Sequence, residues 1–203
     1  MTLNQAPPSA KEIYGGFWIR LGSLFLDFLI VLPIGLFFHF AGGFGRVVHL
    51  YTIAPHFMVL IFFHVYCVKR WGGTPGKLIV GLKIVKENGE DVGWREAFVR
   101  HSVMLALSLL TMCGTTAAAL QLPEDTYGMA TFMERSLLLA GVFPVFTQVV
   151  SWLSNIWVYG EFMVLLTNEK RKAIHDYMAG TVVINEKYQA FVRQEASALS
   201  TVV

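Results

Sequence analysis

Charge is scarce in this 203-residue chain: Lys, Arg, Asp and Glu together make up 15% of it, against roughly a quarter in an ordinary soluble domain. Hydrophobic residues make up 55% and the mean hydropathy is +0.54, so a soluble fold is excluded on composition. The net charge of +2 is too small to argue for nucleic acid. There are two cysteines, Cys67 and Cys113, without CxxC or metal-ligand spacing. They lie at different depths of separate apolar runs, so neither a disulfide nor a metal centre is expected, and both read as small buried apolar residues. Gly72-Gly-Thr-Pro-Gly-Lys77 lacks the gap, the hydroxyl residue and the preceding strand of a phosphate loop. His175 stands beside Asp176, but neighbours on a helix point about 100° apart, and no nucleophile completes a triad. The chain is therefore expected not to be an enzyme and to need no cofactor. Residues 1–11 are polar and contain proline, unlike a cleaved signal peptide.

What fills the chain is four long apolar runs, Phe17–Phe40, Leu50–Val68, Ser102–Leu122 and Leu137–Leu166. Each is long enough for the ~20 residues of a membrane-spanning helix. Fourteen of the sixteen Lys and Arg flank the first run, fill the connection between the second and third, or follow the fourth; Arg46 and Arg135 are the exceptions. By the positive-inside rule both termini are cytoplasmic. The clusters Lys69-Arg70 and Lys170-Arg171-Lys172 suit anionic lipid headgroups better than nucleic acid.

The connection from Lys69 to Arg100 is patterned. Leu78-Ile-Val-Gly-Leu-Lys-Ile-Val85 is β-rich and runs into Asn88-Gly89, a hairpin turn signal. A cytoplasmic β-hairpin or small sheet is expected over about residues 75–95. Gly180-Thr-Val-Val-Ile184 is a second β-branched run, expected to pair with it and to need helix ends beneath it for stability. The tail beyond Glu186 is compatible with a surface helix or a frayed end.

Arg20 and Asp27 are ionisable residues inside the first run. Such groups cost roughly 2.5–3.5 kcal/mol on insertion scales and face protein or a wet cavity. Seven residues apart, they share a helix face, about 10 Å apart along the axis. Asp27 and Glu161, on antiparallel spans, both fall about 10 Å inside the cytoplasmic boundary. Thr147, Gln148, Ser151, Ser154, Asn155 and Glu161 occupy one arc of about 140° on the fourth run, and Gly141 with Pro144 offers a bend near its outer end. If Asp27 and Glu161 converge, a shared proton or a bound cation would relieve their repulsion. Asp176 follows the fourth run, where Arg20 is its attractive partner and a guanidinium can bridge two carboxylates. His56 and His64 could relay protons, though they stand about 80° out of register.

Three segments together, Tyr14-Gly-Gly-Phe-Trp-Ile-Arg20 with Asp27, Thr74-Pro-Gly-Lys-Leu-Ile-Val-Gly-Leu-Lys-Ile-Val85, and Arg171-Lys-Ala-Ile-His-Asp-Tyr-Met-Ala-Gly-Thr-Val-Val183, resemble the RDD family of membrane proteins. The family name refers to one Arg and two Asp, which the resemblance places at Arg20, Asp27 and Asp176. Ile19 and Leu78 depart from it at positions where basic residues are frequent. The resemblance implies a helical membrane fold in a bacterial inner membrane and transport of undefined ligands, with monovalent cations exchanged for protons as one suggestion.

The expectation is thus a single membrane domain over 1–203: a four-helix bundle with a small cytoplasmic β element. Asp27, Glu161 and Asn155 form the ion or proton site, Arg20 and Asp176 set the charge balance, and a homo-oligomer encloses the path. The competing class is a non-transporting membrane scaffold or assembly factor.

Overall fold

A computed structural model describes residues 8–201. Four helices are long and apolar enough to cross a membrane: Phe17–Gly42, Arg46–Trp71, Trp94–Gln121 and Pro144–Thr167. They are here called spans 1 to 4. All four have one end at a small two-stranded sheet; that end is the sheet end and the other the far end.

Two spans differ from expectation at their starts. Span 3 begins at Trp94 rather than near 102, because Glu96 accepts a hydrogen bond from the Gly93 N–H at 2.8 Å and caps the helix early. Arg95 and Arg100 thereby move from a loop into the helix. Span 4 begins at Pro144, and residues 137–142 belong to a separate helix, Phe132–Val142. Thr131 and Glu134 cap that helix reciprocally, and proline at the first position of the next suits its fixed φ and missing N–H. Span 2 carries a π-helical turn at Phe62–Tyr66, a local widening often found at functional positions; His64 sits in it.

Strand β1 is Leu82–Lys86 and β2 is Thr181–Asn185; they pair antiparallel with Ile84 opposite Val183 and Val85 opposite Val182. The expected hairpin does not form. Asn88-Gly89 does turn, with Gly89 at φ 78°, but the returning chain makes one isolated bridge, Val85 to Asp91. Residues Pro75–Ile79 are helical, with Pro75 at the first position, so this stretch is not strand. The small sheet does form, by the expected pairing: β1 finds its partner in the Thr181–Asn185 run, about a hundred residues later in the chain.

Strand alternation decides how the sheet is held. Leu82, Ile84 and Val183 face one way, against Val65, Val68, Ala97 and Leu105 of spans 2 and 3. Val85, Val182 and Ile184 face the other way, against Ile13 and Val192. Val192 lies on the tail helix Gln189–Thr201, whose Gln189 and Arg193 donate to the carbonyl of Gly89. A two-stranded sheet is marginal alone; here both faces are covered. Cys67 is buried at the sheet end, whereas Cys113 is exposed on span 3, against the expectation of burial, and both are free thiols.

Candidate functional site

Two carboxylates organise the sheet end. Asp176 is on the short helix Ile174–Ala179 and is fully buried. Its Oδ2 accepts from Arg20 Nη1 at 3.1 Å and from the Ala173 N–H at 2.9 Å. Its Oδ1 accepts from Arg100 Nη1 and from the Thr181 hydroxyl. Arg20 spends its Nε–H on the carbonyl of Gly15, so span 1, span 3, the N-terminal segment and β2 all meet at this carboxylate. Burial works against its charge, but Arg100, His175 and Arg20 outweigh burial and hold it well below the usual carboxylate range.

Asp27 is bound elsewhere. Its Oδ2 accepts from the Thr74 hydroxyl at 2.6 Å and its Oδ1 from the Gly76 N–H at 2.7 Å, with Lys77 Nζ at 3.9 Å. The Thr-Pro-Gly-Lys turn is thus a cradle for a carboxylate of span 1. Burial pushes the Lys77 ammonium down to about 8, against the pull of Asp27. Glycine is required at position 76, because a Cβ there would stand 2.3 Å from the Ser23 carbonyl and 2.7 Å from Asp27 Oδ1. Replacing Gly76 with alanine is expected to push the turn off span 1 and lower the thermal unfolding temperature by several degrees. A Gly76→Ala protein that melts within a degree of wild type in the same detergent would show that the turn does not hold Asp27.

Arg20 therefore does not bridge Asp27 and Asp176 as expected; each carboxylate has its own donors. Asp27 and Glu161 have no partner in common either. Equal depth puts two residues in one plane of the bundle without turning their side chains toward one another. Glu161 faces His175 instead: Oε1 accepts from the His175 N–H at 3.1 Å, and His175 Nδ1 lies 2.5 Å from Oε2. Arginine can only donate, so Arg100 Nη2, 2.7 Å from His175 Nε2, fixes the ring proton on Nδ1, against Glu161. The approach is off the line of a good hydrogen bond, and Oε2 is left as a buried oxygen without a well-aligned donor. Burial, then Arg100, pushes the His175 imidazole below its usual range.

The histidines separate as their register implies. His64 packs against His101 of span 3, ring centres 4.9 Å apart, and His101 stacks on His175 at 6.3 Å. His56 instead stacks on Phe38 at 5.4 Å and lines a cavity in the far half. Asn155 is on the exposed face of span 4 with Thr147, Gln148 and Ser151, and borders a second cavity rather than either carboxylate. The cavities, about 270 and 420 Å³, share His39, His49, Thr111, Thr115 and Leu139. Arg100, His101, His175, Thr74 and Gly76 are the residues that sequence reasoning did not place in the site. The available signal for Arg100 was the Gly93–Glu96 cap, which sets it about 9 Å inside a helix.

The matches to known proteins agree with the segments that build this cluster. The model of the RDD family matches residues 14–180, a range that contains Arg20, Asp27, the Thr74–Lys77 turn, Glu161 and Asp176. The uncharacterized protein YckC of Bacillus subtilis (strain 168) is 34% identical over 94 residues, which cover 42% of this chain and 55% of the relative. No solved structure matches the chain.

Proposed function

Since the chain belongs to the RDD family of membrane proteins, we propose that it is a proton-coupled transporter in which Glu161 and His175 are the proton-exchanging pair. The observation that carries this reading is the contact between them: a buried carboxyl oxygen facing a ring nitrogen whose proton Arg100 has fixed in place. Cavities in the far half and ionic clusters at the sheet end suit a state open on one side and closed on the other. The Lys and Arg count supports a cytoplasmic sheet end, and the family supports a bacterial inner membrane, with anionic headgroups near the basic clusters as part of the proposal. The polar face of Thr147, Gln148, Ser151 and Asn155 is exposed in the single chain; a second copy covering it would spare those groups contact with lipid. No enzymatic step is part of the proposal. Cation exchange through an Asp27–Glu161 pair has no support in the geometry, because Asp27 is committed to Thr74 and Gly76.

A second reading has its own observation. Arg20, Asp27 and Asp176 are bonded to internal partners, as a clamp fixing a membrane scaffold or assembly factor would be. The test is internal pH in sealed proteoliposomes under imposed Na⁺, K⁺ or Cl⁻ gradients. A transporter is expected to shift internal pH with at least one gradient, and Glu161→Gln to abolish the shift while eluting and melting as a folded protein. Wild type that moves no more protons than empty liposomes under all three gradients would leave the scaffold reading.

A further inference from the structure

Arg135 is a buried cation without a carboxylate. It lies on the helix Phe132–Val142 and is 9% exposed. Its Nε–H and Nη2–H donate to the carbonyls of Tyr127 and Ala130, and its guanidinium lies 5.2 Å over the Tyr127 ring. These partners are neutral. Arg20 and Arg100 share Asp176, and Arg46 pairs with Glu124, but no Asp or Glu of the described residues lies within ion-pair distance of Arg135. A buried charge is normally paired, because removing it from water is expensive.

Arg135 lines the 270 Å³ cavity, and what surrounds it is suited to one kind of partner. His39 and His49 line both cavities, and the Nε2 atom of each is buried with no hydrogen-bond partner. Thr52, Thr111 and Thr115 add polar hydroxyls to the lining, each donating to a carbonyl of its own helix. No carboxylate of the described residues lines either cavity, so a cation entering would meet a guanidinium and nothing of opposite charge. Phe38, Ile53 and Leu139 give the same cavity an apolar wall.

We infer that this cavity is a binding site for a small monovalent anion, a halide or a short monocarboxylate, seated against Arg135 with His39 and His49 turned toward it. A guanidinium holds a carboxylate through two parallel hydrogen bonds or a halide through the charge, and the apolar wall has room for a few methylenes. That an anion binds stands on these contacts; that the anion is the carried solute rests on the transport reading above.

Binding is measured without flux, as ³⁶Cl⁻ retained by purified protein in a scintillation proximity assay in detergent, competed by nitrate, acetate and butyrate. Wild type is expected to show saturable binding that acetate and nitrate displace. Arg135→Gln is expected to weaken it about tenfold or more, the scale of one charge-assisted contact. Arg135→Lys, which keeps the charge, should retain most of it, as should Arg46→Gln, which removes a charge at the same end. Binding that does not saturate in wild type, or that survives equally in a folded Arg135→Gln protein, overturns the site. Displacement by added phosphatidylglycerol but not by acetate overturns the free anion in favour of a lipid headgroup. If Arg135→Gln does not fold, the wild-type competition series and Arg135→Lys decide. Binding without proton flux would end the transport reading and leave the anion site standing.

Discussion

Replacing Asp176 with asparagine is expected to destabilise the protein by about 3–5 kcal/mol, the scale on which a buried ion pair fails when one partner is removed. The side chain has no exposure, and its two guanidinium partners are nearly as buried. Asparagine keeps one acceptor, but its NH₂ group would point at a guanidinium, donor against donor. The check is thermal unfolding in one detergent, with Arg100→Met and the double variant alongside. Removing a cation together with the anion restores the charge balance, so the double variant should lose less than the two single losses summed. Strict additivity would mean that Arg100 and Asp176 stabilise the fold independently, against the contact between them.

The same cluster sets a pH expectation. A carboxylate held below its unfolded value contributes stability that is complete above that value, about 3.9 for Asp, and is lost only as pH falls through the folded value. Asp176 is held well below its usual range, so it should contribute no loss between pH 8 and 5. His175 has the opposite consequence. Its ring is pushed below the usual range, so the unfolded chain takes up that proton first and stability falls as pH drops below about 6.5. A share of acid destabilisation between pH 7 and 5 should therefore disappear in His175→Gln.

The parts of this fold that could be read in the chain are those that depend on one-dimensional quantities. Apolar length placed four helices, and the β-branched runs around Ile84 and Val183 announced two strands. Depth along a helix axis puts Asp27 and Glu161 in one plane, and depth fixes nothing more. Whether two side chains meet depends on how each helix is rotated and on what loop intervenes. The Thr74–Lys77 turn occupies Asp27 first, and His175, from beyond the end of span 4, occupies Glu161. Arg100 was legible as a positive charge near a membrane boundary, which is a topology signal; that it turns inward to Asp176 depends on span 3 starting at Trp94. Arg135 stood out as one of two basic residues away from the basic connections. Its lack of a carboxylate is a three-dimensional fact, because Glu124 belongs to Arg46.

Asp27→Ala separates the cradle from the clamp. The substitution removes both acceptors from the Thr74 hydroxyl and the Gly76 N–H and leaves the partly buried Lys77 ammonium without its carboxylate. Breaking a buried pair from one side is expected to take about 3–5 kcal/mol from stability, with part of it recovered because Lys77, already down to about 8, can release its proton. The loss should therefore shrink as pH rises from 7 to 9, since a neutral amine needs no counterion. Asp27→Asn should lose less, because its amide oxygen can still accept from Gly76 and its NH₂ can donate to Thr74. Neither substitution touches Asp176, Arg20 or His175, so the acid profile assigned to His175 should persist in both. A loss that does not change with pH would mean that Lys77 is not the charge left behind, and that Asp27 acts through Thr74 and Gly76 alone.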